Sequence, residues 1–323
     1  MISIVIPVCD EKDSLSILHD EIVQSGQQSG LAYEILFVDD GSSDGSWDVI
    51  THLASQNPHV HGCRFRRNFG KSAALAAGFA VARGDTILTL DADLQDDPGE
   101  IPNFLRELAR GHDVVSGWKK VRLDPWHKVW PSRVFNFMVS WLTGVRLHDH
   151  NCGMKCYRSS IFREIRLYGE LHRFIPVLAA ARGFKVGELP IKHRPRRFGF
   201  SKYGARRFIK GFLDLLTVKF LTGFGQRPQH LLGAIGLISF VLGNLGFLYL
   251  LVTWIINFWS PDTFEPVHRR ALPMFSLAAL VVGAQMMSIG FLAELIIAYQ
   301  PGHQLPYSIA ERTPEKNTDG ATG

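Results

Sequence analysis

Two long apolar runs, Leu231 to Trp254 and Leu272 to Tyr299, restrict what this chain can become more than any other feature of it. Crossing about 30 Å of hydrocarbon at about 1.5 Å per residue takes about 20 residues, so each run is long enough to span a bilayer. Asn244, Gln285 and Glu294 are the conspicuous polar side chains inside them. A carboxylate at such depth calls for a partner on another helix or subunit, so Glu294 points to a helix-pair contact or to a homo-oligomer. Arg206, Arg207, Lys210, Lys219 and Arg227 precede the first run, whereas the connecting loop carries Arg269 and Arg270. The positive-inside rule then puts the N-terminal part in the cytoplasm, and two crossings return residues 301–323 to the same side. That polar tail, with its Pro and Gly, reads as a flexible cytoplasmic segment. Met1 leads straight into Ile2-Ser3-Ile4-Val5-Ile6 without a basic n-region or cleavage site, so no signal peptide is expected.

The first two thirds of the chain are built differently. Ile2 to Val8, Glu34 to Val38, Val60 to Phe65 and Thr86 to Leu90 are short β-branched runs that read as strands, separated by helical patterns at about 12–28, 44–56, 71–83 and 98–110. Near-continuous apolar strands alternating with helices predict a parallel sheet covered on both faces. Beyond Trp118 the pattern loosens, with helices expected around Val129 to Thr143 and His172 to Arg182 and a strand near Val186 to Ile191. Ala205 to Thr222 interleaves Phe208, Phe212, Leu215 and Leu216 with Arg206, Arg207, Lys210 and Lys219. That suits a basic amphipathic helix in a membrane interface, with a core-packed helix as the alternative. The expected organisation is an α/β domain over 1–204, an interfacial helix region over 205–227, two membrane helices within 228–300, and the tail over 301–323.

Net charge is +5, with basic residues gathered at Lys119 to Arg133, Arg158 to Arg173 and Lys192 to Lys219. Anionic lipid, phosphorylated substrates and nucleic acid all suit such clusters. Cys9, Cys63, Cys152 and Cys156 form neither a disulfide framework nor a complete zinc motif, and read as reduced thiols.

Ligands of open parallel sheets sit beyond the carboxyl ends of the strands, and the acidic motifs fall there. Asp91-Ala92-Asp93-Leu94-Gln95 follows the apolar run Thr86 to Leu90. Two carboxylates at a strand end offer hard oxygen ligands to a divalent cation that bridges a diphosphate, and the ion reverses the sign of a field that would otherwise repel it. Pro7-Val8-Cys9-Asp10-Glu11 and Val38-Asp39-Asp40-Gly41-Ser42 end neighbouring strands, where carboxylates and backbone amides can meet base and ribose; for Asp40-Gly41 a structural turn is the alternative. Arg66-Arg67-Asn68-Phe69-Gly70-Lys71 runs into a helix N-terminus, a place that favours anions or acidic neighbours.

Together with Arg196-Arg197-Phe198-Gly199-Phe200-Ser201-Lys202, these ordered motifs resemble the GT-A glycosyltransferases of family 2 over about residues 1–225. Within that family the chain looks like the dolichyl-phosphate mannosyltransferase and, more closely, the bactoprenol glucosyltransferase branch, which Asp149-His150-Asn151-Cys152-Gly153-Met154-Lys155 also suggests. The resemblance implies a Rossmann-like, mainly parallel GT-A domain that transfers a hexose from a nucleotide-sugar, UDP-glucose first, to polyprenyl phosphate, with inversion. GDP-mannose, UDP-galactose and amino-sugar donors are the alternatives. The implied partners are the donor, the lipid phosphate and the membrane, without nucleic acid; the implied cofactor is Mg²⁺ or Mn²⁺.

The same resemblance assigns Pro7, Cys9, Glu11, Val38, Asp40 and Lys71 to the donor, with Asp91, Ala92, Asp93 and Gln95. Cys9 stands where the family has Tyr, and Asp10 where it has Asn. Asp91 and Asp93 become metal ligands and, with Arg196 and Lys202 closing over the diphosphate, the catalytic set. Trp118 stands where the mannosyl branch has Arg, so Lys119, Arg122 and Arg133 are the candidates for the lipid phosphate, alongside Lys120; a solvated basic face is the alternative for Lys119, Lys120 and Arg122. Glu170, His172 and Arg173 are expected to shape a sugar pocket or to pair structurally. A processive synthase would carry Gln-x-x-Arg-Trp and more spans, and a dehydrogenase a Gly-x-Gly-x-x-Gly turn in place of Pro7-Val8-Cys9-Asp10. An inactive nucleotide-sugar-binding scaffold is the rival outside enzymology.

Overall fold

The computed structural model describes residues 1–120, 126–165, 167, 169–195, 197–198, 206–223, 228–261 and 263–299. The expectations for Arg122, Arg196, Lys202 and the tail 301–323 therefore lie outside the described residues. The chain divides into two units, Met1–Thr222 and Gly223–Pro306.

In the first unit, β1 (Ile2–Val8), β2 (Tyr33–Asp39), β3 (Val60–Arg64) and β4 (Thr86–Thr89) alternate with α1 (Lys12–Ser29), α2 (Ser46–Gln56) and α3 (Lys71–Val81). A further helix, α4 (Ile101–Ala109), follows a short 3-10 turn over Pro98–Glu100. Then come β5 (Val114–Lys119), α5 (Trp126–Thr143), β6 (Lys155–Arg158), α6 (Ile161–Glu164), α7 (Ile175–Ala181), β7 (Val186–Ile191) and α8 (Arg206–Gly223). The sheet has seven strands in the order β3-β2-β1-β4-β6-β5-β7. β3, β2, β1 and β4 run parallel, whereas β6 enters antiparallel to both β4 and β5. The strands β5 and β6 are additions to the sequence reading.

Alternation along the strands builds two apolar layers. Ile4, Ile6 and Val8 of β1 join Ile35, Phe37 and Leu88 beneath Leu15, Leu18 and Ile22 of α1. Val5, Leu36 and Ile87 face the other way, against Leu75 and Phe79 of α3 and Ile175 of α7. Period-two side-chain direction turns continuous apolar runs into two buried faces, and so leaves the strand ends as the place for polar chemistry.

α8 packs through Leu215 and Val218 against Phe135 and Val139 of α5 and Phe174. Phe212 and Leu213 stay exposed. One side of this helix thus serves the core and another is left for an apolar environment.

The second unit is a hairpin of α9 (Pro228–Trp259) and α10 (Leu272–Tyr299). Each contains a window long and apolar enough to cross a membrane, and only 17% of either window is buried, unlike the core helix of a soluble protein. The helices meet along glycines: a Cβ on Gly283 would lie 2.6 Å from the backbone nitrogen of Phe240 and 2.7 Å from the carbonyl oxygen of Gly236. Ser239 Oγ donates to the carbonyl of Ala279 at 2.9 Å, and a Cβ on Gly243 would meet the carbonyl of Ser276 at 2.8 Å. Glu294 finds its partner within the hairpin, because its Oε2 accepts the backbone N–H of Gln229 at 3.4 Å in the first turn of α9. The positive end of a helix dipole suits a carboxylate there. Asn244 lies on the exposed side and donates to the carbonyl of Phe240 at 2.8 Å.

Candidate active site

The loops after β1 and β2 are stitched into one rim. Asp10 takes a left-handed backbone (φ 54°), its N–H donates to Ser42 Oγ at 2.9 Å, and its Oδ1 accepts the N–H of Ser43 at 2.9 Å. Gly41 (φ +72°) permits the closest approach: a Cβ there would come within 2.5 Å of the backbone carbon of Arg67. That contact brings the 67–70 segment beside the rim. Asp40, 3% exposed, accepts the N–H of Phe69 at 2.7 Å on one oxygen and of Gly70 at 2.9 Å on the other. Burial raises its pKa, and the two amides offset that only in part. Both oxygens of Asp40 thus brace the start of α3.

From that turn Lys71 reaches across to Asp91. The two side chains are hydrogen-bonded as an ion pair and are 28% and 30% exposed. Burial would raise the pKa of Asp91, but the Lys71 ammonium, with Lys119 and Lys155 behind it, brings it below the ordinary carboxylate value. Asp91 also rests on Gly153, where a Cβ would sit 2.3 Å from Asp91 Oδ2. Asp93, 9% exposed, closes a tight turn by accepting the N–H of Gln95 at 3.2 Å, with Leu94 left-handed at φ 60°. Beyond the turn, Arg194 donates its N–H to the carbonyl of Gln95 at 2.8 Å. Its guanidinium meets Asp97 at 2.9 Å and Glu21 at 2.7 Å, tying the acidic loop to α1.

A cavity of about 270 Å³ opens between these segments. Its walls include Pro7, Cys9, Glu11, Asp40, Lys71, Asp91, Ala92 and Asp93 from the expected donor set, together with Glu170, His172 and Arg173. Val38 and Gln95 are not among the lining residues; Val38 is 1% exposed inside β2. The 3-10 turn Leu171–Phe174 is held to α3 by His172 Nδ1 and Ser72 Oγ at 2.9 Å, and Arg173 pairs with Glu170 at 2.9 Å.

Lys119, a candidate for the lipid phosphate, is paired with an acidic residue of the loop after the aspartate motif. Its ammonium lies 2.8 Å from Asp96, with the side chain 14% exposed. Burial alone would lower its pKa, but Asp96 raises it well above the ordinary lysine value. Arg133, by contrast, is exposed on α5.

Sequence reasoning singled out neither Lys155 nor His150 for a role, although both fall in or beside the Asp149 to Lys155 stretch. Lys155 is 3% exposed, and its Nζ donates to the carbonyl of His150 at 3.0 Å. Burial lowers its pKa to about 8. His150, fully buried with Nε2 3.1 Å from Ser140 Oγ, has a pKa lowered to about 3, by burial first and by Lys155 second. Between about 6.5 and that value the unfolded chain binds a proton that the folded chain refuses, so stability is lost as pH falls below about 6.5. The thermal midpoint of the detergent-solubilised protein should therefore drop between about pH 6.5 and pH 5, by up to about 2 kcal/mol of stability. His150→Gln should flatten that slope; an equally steep fall in the variant would put the titration elsewhere. The cysteines are free thiols, with Cys152 and Cys156 buried and their pKa values pushed up by that burial.

Asp91 and Asp93 offer hard carboxylate oxygens at one mouth, and among the described residues no cluster of three or more His, Cys, Asp or Glu exists to cage a metal. Mg²⁺ and Mn²⁺ are commonly bound this way, through one or two carboxylates with the remaining positions filled by phosphates and water. The residues present thus fit such an ion.

Comparison with known proteins agrees with this construction. Among solved structures, mannosyl-3-phosphoglycerate synthase from Rubrobacter xylanophilus aligns with a TM-score of 0.53 at 19% identity, over 68% of this chain and 72% of that one. Glucosyl-3-phosphoglycerate synthase from Mycobacterium tuberculosis, in complex with Mn²⁺, uridine diphosphate and phosphoglyceric acid, aligns at 0.54 and 16% identity, over 69% and 78%. These likenesses establish the GT-A fold. In sequence, the dodecaprenyl-phosphate galacturonate synthase of Rhizobium johnstonii is 35% identical over 300 residues, 91% of this chain and 87% of the relative. The undecaprenyl-phosphate 4-deoxy-4-formamido-L-arabinose transferase of Sodalis glossinidius is 36% identical over 296 residues, 91% and 88%. The family model described as glycosyl transferase family 2 matches residues 3–166, which hold both stitched strand ends and the aspartate pair. With the acidic loop, the stitched rim and the sheet order described, the chain belongs to glycosyl transferase family 2 and is a glycosyltransferase.

Proposed function

We propose that this enzyme transfers a sugar from a nucleotide-sugar to polyprenyl phosphate at the cytoplasmic face of a membrane, with inversion at the anomeric carbon. The observation that carries the reading is that Asp91 and Asp93 line the same cavity as Pro7, Cys9 and Glu11, in a chain that also holds two membrane-length helices. In this reading the rim of Pro7, Cys9 and Glu11 receives the nucleoside, Asp40 holds the turn that carries Lys71, and Ala92, Gln95 and Val38 shape the donor side. Asp91 and Asp93 would hold a divalent ion, which would supply charge neutralisation on the leaving diphosphate. Lys71, Arg196 and Lys202 would bring positive charge toward the same oxygens, where negative charge grows in the transition state.

An oxygen of the acceptor phosphate attacks the anomeric carbon from the face opposite the diphosphate. A phosphate monoester, with a second pKa of about 6, is already ionised near neutrality, so the chain need supply no strong general base. Arg133 and Arg122 are its proposed receivers. Trp130, Phe137 and Trp141 on the helix of Arg133 are 69%, 71% and 74% exposed, and their spacing puts them on one side of α5. Exposed tryptophans beside an arginine suit the headgroup level of a bilayer. The basic flank before α9 supports the cytoplasmic side.

UDP-glucose is the first donor to test. The names of the two relatives, one a galacturonate synthase and the other a formamidoarabinose transferase, put UDP-galacturonate and a UDP-linked 4-formamido sugar in the same panel. The purified full chain, given polyprenyl phosphate and each donor, should release nucleoside diphosphate with one or a few of them and give a β-linked product from an α-linked donor. An α-linked product would remove the single displacement. Absence of turnover with every donor, GDP-mannose included, would favour the inactive scaffold.

A further inference from the structure

In the structure, the first aspartate of the Asp91-Ala92-Asp93 motif is already engaged by a cation of the protein itself. Lys71, the first residue of α3, is ion-paired to Asp91 through its Nζ. The lysine is not there by accident of a loose side chain. Gly70 (φ +94°) and Phe69 deliver their N–H groups to the carboxylate of Asp40, which fixes where α3 begins. Asp91 is confined from the other side by Gly153. Two further lysines act on Asp91 at longer range, Lys119 beside Asp96 and the buried Lys155. Lys71 is thus the cation in direct contact with the first carboxylate of the motif, and a divalent ion can take that carboxylate only where the ammonium gives it up.

We propose that Lys71 is an exchangeable counter-ion. It occupies Asp91 while the donor is absent and moves to a diphosphate oxygen when the nucleotide binds, so that Asp91 is released to a divalent ion that enters together with the nucleotide. This rests on the metal-assisted reading of the site given above. The exchange breaks one ammonium–carboxylate contact and forms one ammonium–phosphate contact, with no change in proton count. Its consequence is an order of binding: the donor-free enzyme takes up metal poorly, which keeps the carboxylate pair from holding a tightly bound ion before a substrate is present.

The test is Mn²⁺ binding by electron paramagnetic resonance on the detergent-solubilised full chain, with and without UDP as probe, in wild type, Lys71→Met, Lys71→Gln and Lys71→Arg. Asp93→Ala identifies which Mn²⁺ signal belongs to this site. Without UDP, Lys71→Met and Lys71→Gln should bind Mn²⁺ more tightly than wild type by about tenfold or more, the order expected on removing one charge a few ångströms from a divalent ion at a partly solvated site. Lys71→Arg, which keeps the charge, should stay weak. With UDP, the two neutral variants should lose the advantage and bind UDP about tenfold more weakly than wild type, for want of a cation on the diphosphate. A purely structural ion pair predicts the opposite of the first result, namely unchanged or weaker Mn²⁺ binding in folded Lys71→Met and Lys71→Gln, and that outcome overturns the proposal. If wild type and variants take up Mn²⁺ equally and only with UDP, the exchange fails while the metal-assisted site survives. If none takes up Mn²⁺ even with UDP, the metal reading fails and the exchange with it.

Discussion

Asp93→Ala is expected to lower kcat/KM for sugar transfer by about three orders of magnitude or more, the scale on which preorganised charge acts at a leaving group. Asp93 is 9% exposed and lines the cavity, so its charge acts where water screens it little. It also accepts the Gln95 N–H at 3.2 Å, and alanine gives up that bond, at a cost of about 1 kcal/mol in stability. Asp93→Asn separates the two roles, because it keeps an acceptor for the turn and loses the charge. Both variants should remain folded by circular dichroism and lose metal-dependent turnover alike. Transfer that survives in Asp93→Asn with its metal dependence intact would take this residue out of the chemistry.

Gly153→Ala should cost about two orders of magnitude in kcat while touching no substrate, because a misplacement of about 1 Å in a reacting constellation has that effect. The added Cβ would lie 2.3 Å from Asp91 Oδ2 and 2.4 Å from its Cγ, so the carboxylate must turn away. Gly153 is not among the positive-φ glycines, so alanine suits its backbone and the strain is confined to that contact. Stability should change little, by about 1 kcal/mol, since the displaced group is the end of a partly exposed side chain. Steady-state kinetics beside a thermal melt decide the matter. A variant with wild-type kcat would mean that the position of Asp91 tolerates the shift, and would weaken its assignment to the reacting centre.

Much of the architecture was readable because it rests on periodicity. The four parallel strands and both membrane-length helices are long, apolar and bounded by turn residues, and the structure has them where the patterns put them. Strands β5 and β6 escaped notice for physical reasons: β6 is only four residues, Lys155–Arg158, and begins with a buried lysine. A lysine in a sequence says nothing of whether it will be solvated or enclosed. Lys119 shows this, since its partner Asp96 belongs to a separate loop and is joined to it only by the folded sheet. Asp40 shows the same limit from the acidic side; its spacing from Gly41 suggests a turn, but the amides of Phe69 and Gly70 that occupy it come from a later segment. The motifs stood out in the sequence, whereas their cross-chain pairings needed three dimensions.

The glycine seam between α9 and α10 has a mechanical corollary. Where Gly236 faces Gly283, main chain comes up against main chain, so the pair has little room to slide or splay. Such a doublet behaves as a single stiff ribbon. Bilayers of unequal thickness would then be met by leaning the ribbon as a whole, rather than by bending either rod.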